Sequence, residues 1–146
     1  ALSSQEYRGL LDFIAETRNY RTCDGKTIHA SYSCEGYLGD YELTVRDYFF
    51  FCRGGINVGS IMCDGSITAC LSVRSPAFIQ GNIYKDDFMD VWNQKFQNAR
   101  NRTWAKTGEC ANCKEWRWCE GNGLHLHKDD RSECTYCNLK LIEHKT

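Results

Sequence analysis

The sequence lacks the features that assign a chain to the membrane or to the secretory pathway. No apolar run is long enough to span a bilayer, and the N-terminal residues have neither the basic start nor the apolar stretch of a signal peptide. Pro76 is the single proline, so there is no proline-rich linker. The chain does not begin with methionine, which suggests a processed chain or a piece of a larger protein. We therefore expect a cytoplasmic protein without a membrane partner.

An excess of charge of one sign is also missing. The 146 residues carry 18 Lys and Arg against 19 Asp and Glu, a formal net charge of -1. Such a chain has no general attraction for nucleic acid, so we expect no nucleic-acid partner. Residues 95–117 are locally basic, a pattern more typical of a solvated helix face than of a phosphate-binding patch. Hydrophobic residues make up 42% of the chain, which is enough for a compact core.

What the sequence does have is cysteine. There are 10 cysteines: Cys23, Cys34, Cys52, Cys63, Cys70, Cys110, Cys113, Cys119, Cys134 and Cys137. An even number permits a disulfide framework in a secreted domain. However, the chain shows no export signal, and four of the cysteines form two Cys-x-x-Cys pairs. In a reducing compartment such pairs more often bind metal, so we favour metal ligation over disulfides.

The residue patterns predict an α+β fold with an N-terminal helix, a β-hairpin, an amphipathic helix and then cysteine-rich metal-binding loops. Ser3 and Glu6 match a capping box for a helix over residues 4–18. Asp64-Gly65 is a strong hairpin signal between alternating segments at 56–63 and 66–73.

The amphipathic helix is predicted over residues 87–102. Asp86 or Asp87 can cap its first amides. The apolar residues of this segment repeat at helical spacing, which indicates core packing. These residues are Phe88, Val91, Trp92, Phe96 and Ala99.

The sharpest motif is Cys110-x2-Cys113-x5-Cys119. A Cys-x-x-Cys turn directs two thiolates into one concavity, and a third cysteine can join the same site. Cys134 and Cys137 are the candidates for a fourth ligand, and four thiolates suit either zinc or an iron–sulfur cluster. Cys110, Cys113, Cys134 and Cys137 alone come close to a zinc-ribbon spacing, so a zinc-ribbon interaction module is the alternative.

The cysteines and glycine that lie before Cys110 favour an iron–sulfur cluster over zinc, through a resemblance to a known family. Cys52-x12-Gly65-x4-Cys70, followed by the Cys110 motif and a later cysteine, resembles the SPASM domain, the auxiliary-cluster domain of radical SAM peptide and protein maturases. Gly81-Asn82-Ile83 and the later Val91-Trp92 resemble the same family. The resemblance covers about residues 50 to 140. It implies that residues 1–48 are a linker helix and connecting segment from a missing radical SAM barrel, and that residues 49–146 are a SPASM-like cluster-binding domain.

The resemblance also implies a ligand set for one or two [4Fe-4S] clusters. Cys52 and Cys70 would serve a first cluster, and Cys110, Cys113 and Cys119 a second, completed by Cys137 rather than Cys134. Zinc can occupy such cysteines instead, especially in protein prepared in air.

The sequence departs from the family pattern at one place. The family places a cysteine at position 123, where this chain has Gly123. Cys63 or His125 can compensate as a ligand, or the first site stays incomplete. Cys23 and Cys34 match no part of the motif and are interpreted as structural thiols.

A radical SAM catalyst needs a Cys-x3-Cys-x2-Cys loop, and no three cysteines here have that spacing. We therefore assign no catalytic residue and expect that this chain does not cleave S-adenosylmethionine by itself. The resemblance implies a parent enzyme, an oxidoreductase or maturase that uses S-adenosylmethionine and acts on a peptide or protein substrate.

Overall fold

A computed structural model describes residues 2–33, 36–129, 131 and 133–143. Cys34, for which a structural role was predicted, lies outside these residues. Within them the α-helices are α1 (Ser4–Thr17), α2 (Glu42–Val45), α3 (Phe88–Gln94), α4 (Gln97–Arg100), α5 (Trp116–Cys119) and α6 (Asn138–Glu143). The strands are β1 (Ser60–Ile61), β2 (Ser66–Thr68) and β3 (Ile79–Asn82). The predicted α+β class is confirmed.

Short 3-10 helices connect these elements. They span Gly39–Tyr41, Pro76–Phe78, Thr103–Ala105, Gly108–Cys110 and Leu124–Leu126. The chain divides into two compact units, the first made of Ala1–Phe51 and Cys137–Thr146 and the second of Cys52–Tyr136. The domain boundary that we predicted between residues 48 and 49 stays a prediction.

The first unit is built around α1. The predicted capping box is present: the Ser3 hydroxyl accepts from the Glu6 amide at 3.3 Å, and the Ser3 amide donates to Glu6 Oε2 at 2.8 Å. This exchange satisfies amides that the first turn of a helix leaves without partners. On the inner face of α1, Tyr7 and Leu11 are buried together with Leu38 and Val45.

A buried carboxylate organises the segment around α2. Glu42 is 1% exposed and accepts from the Leu38 amide at 2.8 Å and from the Phe50 amide at 2.6 Å. Arg46 Nε lies 3.6 Å from Glu42 Oε2 and gives the carboxylate a counter-charge. Nothing in the local sequence pattern marks Glu42 as buried, so this group was not predicted.

The second unit contains the sheet, in the order β1-β2-β3 with both pairs antiparallel. The hairpin turn predicted at Asp64-Gly65 is confirmed. The Gly65 amide donates to the Met62 carbonyl at 2.9 Å, and Gly65 has a φ of 82°, which glycine adopts without steric cost. Strand β3, which we did not predict, pairs with β2 through Ser66 and Asn82.

The predicted hairpin strands are too long. Residues 55–57 form a turn in which the amides of Ile56 and Val58 both donate to the Arg53 carbonyl, at 3.1 Å each. Gly55 permits this turn because it adopts a φ of 72°. The returning strand ends at Thr68, and the Val73 amide closes a further turn onto the Cys70 carbonyl at 2.9 Å.

The single helix predicted over residues 87–102 is wrong. Asp87 caps α3, and its carboxylate accepts from the Met89 and Asp90 amides at 2.8 and 3.0 Å. The helix then breaks before α4 at Phe96, which is 1% exposed and has a ψ of 19°. Phe96 packs into the buried cluster that includes Ile67 and Leu124, and this tertiary packing outweighs helical continuity.

The core of the second unit lies between the sheet and these two helices. Its buried members include Ile67, Val91, Phe96 and Leu124. Cys52 and Cys70 are partly buried and pack against this cluster. In the described part of the chain, no helix combines the length and the apolar character needed to cross a membrane.

Candidate metal centre

Three of the predicted ligands lie on a series of turns. The Cys110 amide donates to the Thr107 carbonyl at 2.9 Å, and the Cys113 amide donates to the Cys110 carbonyl at 3.3 Å. The Trp116 amide, at the start of α5, donates to the Cys113 carbonyl at 3.2 Å. Cys119 is the last residue of α5. Hydrogen bonds between near neighbours therefore set the backbone of Cys110, Cys113 and Cys119.

The backbone directly after Cys119 is left-handed for three residues in a row. Glu120, Gly121 and Asn122 have φ values of 47°, 79° and 73°. A non-glycine residue in this conformation costs about 1–2 kcal/mol, so surrounding contacts must stabilise the segment. The sequence signal for this feature is Gly121-Asn122-Gly123, since glycine and asparagine tolerate positive φ best.

A buried arginine supplies part of that stabilisation. Arg102 is 6% exposed, and its Nη1 donates to the Asn122 carbonyl at 2.9 Å while its Nε donates to the Ala99 carbonyl at 3.0 Å. Asn122 Nδ2 in turn donates to the Tyr136 carbonyl at 3.1 Å. The charge pattern predicts a solvated helix face for the basic stretch at residues 95–117. For Arg102 that assignment is wrong, because its guanidinium stabilises the left-handed segment from inside the unit.

Cys52 and Cys70 are positioned by the core instead. Gly54, two residues after Cys52, is buried, and a Cβ placed there would lie 3.5 Å from the Ala69 Cβ and 3.2 Å from Leu124 Cδ1. Ala69 precedes Cys70 and is 2% exposed. The backbones that carry Cys52 and Cys70 therefore approach the same buried side chains.

The two histidines of the last segment have different surroundings. His127 is buried, its Nε2 donates to the Gly121 carbonyl at 2.5 Å, and its ring packs edge-on against Trp104 at 4.9 Å. Burial lowers the pKa of His127, because desolvation disfavours the imidazolium form. His125 is half-buried. His127 is therefore a buried structural histidine, whereas His125 remains a candidate ligand.

The remaining candidates differ in exposure. Cys63 is exposed at the hairpin, whereas Cys134 and Cys137 are half-buried. The Cys134 Sγ donates to the Tyr136 carbonyl at 3.1 Å, an interaction that needs the protonated thiol. Cys137 precedes α6, and its carbonyl accepts from the Leu141 amide at 3.2 Å. The thiol hydrogen bond of Cys134 fits the preference for Cys137 as the family ligand, and the choice stays a prediction.

The donor set suits iron–sulfur chemistry, although it does not form a preassembled site. All six preferred ligand cysteines are half-buried and, like the other cysteines that the structure describes, free of disulfides. Soft thiolates of this kind favour iron–sulfur clusters and zinc. Among the described residues, no three His, Cys, Asp or Glu side chains lie together in a way that could hold a metal ion. The ligand assignment therefore stays a prediction.

The fold and the cysteine pattern define a small α+β domain whose loops carry the cysteines that we predict to bind metal. Residues 52–114 match the family model of SPASM, an iron–sulfur cluster-binding domain. The match begins at Cys52 and includes Cys70, Cys110 and Cys113. It confirms the resemblance that the cysteine spacing predicted, and with it the assignment of this segment to iron–sulfur binding. The chain matches no curated protein and no solved structure.

Proposed function

We propose that this chain is the auxiliary [4Fe-4S]-binding part of a radical SAM enzyme. The observation that carries the proposal is the SPASM match over residues 52–114, which includes the half-buried Cys52, Cys70, Cys110 and Cys113. Cys119 and Cys137 lie beyond the matched residues. Cys52 and Cys70 serve one cluster. Cys110, Cys113 and Cys119, completed by Cys137, serve the other.

A bound cluster supplies one-electron transfer or a metal site for substrate. The chain itself supplies thiolates and sets their surroundings. Arg102 places a positive charge inside the unit, hydrogen-bonded to the segment that follows Cys119. If the cluster binds close to this segment, the buried charge of Arg102 stabilises its reduced, more negative state and raises its reduction potential.

The parent enzyme carries the S-adenosylmethionine chemistry, since this chain lacks the Cys-x3-Cys-x2-Cys loop. Its partner is a peptide or protein substrate, and the auxiliary part supports electron transfer, substrate binding or both. A reducing cytoplasm suits free thiols and iron–sulfur clusters better than an oxidising compartment does. We therefore place the parent enzyme in the cytoplasm.

Anaerobic reconstitution of the chain, followed by iron, sulfide and zinc analysis, tests the proposal. We expect iron and sulfide in equal amounts, with visible absorption and an electron paramagnetic resonance signal after reduction. A protein that holds zinc but no sulfide would instead support the zinc-ribbon alternative.

Cys119 separates these two accounts further. A zinc ribbon uses Cys110, Cys113, Cys134 and Cys137, so Cys119→Ser would leave zinc content unchanged. In the iron–sulfur account the same substitution removes a cluster ligand and lowers the iron content. Cys23→Ser is the matched control, because Cys23 is exposed and belongs to no predicted ligand group.

A further inference from the structure

The backbone at position 123 does not require glycine. Gly123 has a φ of −71° and a ψ of 144°, an extended conformation that any residue adopts. Gly123 is nevertheless buried. Any constraint on the residue at position 123 therefore comes from space rather than from backbone conformation.

The imidazole of His125 fills that space. A Cβ placed on Gly123 would lie 2.8 Å from His125 Cε1 and 3.0 Å from Nδ1, closer than side chains tolerate without a shift. The His125 ring therefore stands where a side chain at position 123 would begin. A cysteine at 123 and the present ring position exclude each other.

The core fixes this segment next to the first cysteine group. Leu124, between Gly123 and His125, is 1% exposed and belongs to the cluster against which Cys52 and Cys70 pack. On the other side of His125, the Thr135 amide donates to the Leu126 carbonyl at 2.7 Å. The ring of His125 is thus carried by a backbone held on both sides.

We propose that His125 supplies an imidazole nitrogen to the iron–sulfur cluster of Cys52 and Cys70, in place of the cysteine expected at position 123. The inference rests on the proposed function. Cys63, the other candidate replacement, is exposed at the hairpin and has no comparable contact with position 123 in the described residues. Because no three donors are preassembled in the described part of the chain, ligation requires side-chain rotation when the cluster binds.

Imidazole ligation has a recognisable signature. A neutral imidazole carries no negative charge, so replacing a thiolate with it raises the reduction potential of a cluster. It also places a nitrogen nucleus in direct contact with the spin system. Both properties are measurable without any enzymatic activity.

The test compares reconstituted wild type with His125→Ala and with the double variant Gly123→Cys/His125→Ala. We expect nitrogen hyperfine coupling in the reduced wild type that changes when histidine is labelled with the heavy nitrogen isotope. His125→Ala loses this coupling. Because His125→Ala removes a ligand, we also expect it to lower the iron content. The double variant restores the iron content but not the nitrogen coupling, and its cluster has a more negative midpoint potential than that of the wild type. His29→Ala, which alters an exposed histidine beside Asp47, is the matched control and keeps the wild-type signal.

Two results would overturn the inference. If His125→Ala keeps both the nitrogen coupling and the potential of the wild type, His125 is not a ligand although the proposed function stands. If the wild type binds no iron and sulfide, the proposed function and this inference fail together.

A second measurement tests the exclusion between position 123 and the ring without any metal. In urea unfolding of the metal-free chain, Gly123→Cys alone should lower the transition midpoint, because its Cβ meets the ring. Adding His125→Ala should recover most of that loss, a coupling that a double-mutant cycle measures. Additive effects of the two substitutions would contradict the geometry.

Discussion

The two cysteine groups of the second unit are positioned by different kinds of structure. Cys52 and Cys70 are distant in the sequence and pack against one shared hydrophobic cluster. Cys110, Cys113 and Cys119 are set by hydrogen bonds between residues three or four positions apart. The first group therefore depends on tertiary packing, whereas the second depends on local turns. Substitutions that disturb only packing, or only a local turn, should therefore affect one cysteine group and leave the other unchanged.

The largest effect is expected from removing thiols of the second group. In the double variant Cys110→Ser/Cys113→Ser one cluster loses two ligands, so we expect the bound iron of a two-cluster protein to fall by about half. Iron analysis after anaerobic reconstitution measures this. Cys23→Ser, at an exposed cysteine that belongs to neither ligand group, is the control and should retain wild-type iron. An unchanged iron content in the double variant would remove Cys110 and Cys113 from the ligand set.

Substitution of a glycine in the core should disturb the first group. Gly55→Ala places a methyl group 2.4 Å from the Ala99 Cβ and forces a φ of 72° on a non-glycine residue. Together these effects should lower the free energy of unfolding by about 3 kcal/mol. Urea unfolding of the metal-free chain provides the measurement.

Gly108→Ala is the matched control for that substitution. Gly108 has a φ of 50°, but apart from its own chain neighbours no heavy atom lies within 4 Å of the position that a Cβ would take on its backbone. Backbone strain alone should cost about 1 kcal/mol here. Equal losses for the two variants would mean that crowding at Ala99 contributes nothing, and that the core around Cys52 is looser than the structure indicates.

A smaller decrease in the free energy of unfolding is expected from Arg102→Gln. The substitution removes the charge and leaves the buried carbonyls of Ala99 and Asn122 without their arginine donors, which should cost about 2 kcal/mol. Chemical denaturation again measures the change. Arg74→Gln, at an exposed arginine, should stay within about 0.5 kcal/mol of the wild type. If both variants behave alike, the left-handed segment after Cys119 does not depend on Arg102.

The smallest expected effect concerns the stability of the fold at low pH. The Ser66 amide lowers the pKa of Asp64, and the Asn82 amide lowers the pKa of Asp86. Since the folded-state pKa lies below the unfolded value, each carboxylate contributes stability above about pH 4, and that contribution is lost as the pH falls through the folded-state pKa.

Asp86→Asn should therefore make the metal-free chain slightly less stable near neutral pH and less sensitive to acid. Circular dichroism at a series of urea concentrations, between about pH 7 and about pH 3, follows both changes. Parallel pH profiles for the variant and the wild type would show that Asp86 does not stabilise the β3 end of the sheet through its charge.

Local sequence signals predicted those parts of the fold that depend on residues close together in the chain. The capping box at Ser3, the hairpin turn at Asp64-Gly65 and the cap at Asp87 are all present, because each depends on residues within a few positions. The break at Phe96 and the turn at Gly55 were missed. Both depend on packing between distant segments, which a hydrophobic period does not report.

The candidate site also has some features that the sequence predicted and others that it did not. Cysteine spacing was sufficient to predict the SPASM resemblance that the family match confirms. The buried guanidinium of Arg102 is a tertiary feature, and the place of the His125 ring over Gly123 depends on a side-chain conformation. The sequence pattern indicates neither of them. Sequence reasoning could name His125 as a substitute ligand, but only the three-dimensional structure could relate its ring to the missing side chain.

The short outer strands of the sheet have a consequence for handling the protein. β1 has two residues and β3 has four, so each offers few unpaired backbone groups to a neighbouring molecule. Intermolecular strand addition, a common route to aggregation, is thereby disfavoured. Precipitation of the metal-free protein should instead proceed through oxidation between chains and should be reversed by a reductant.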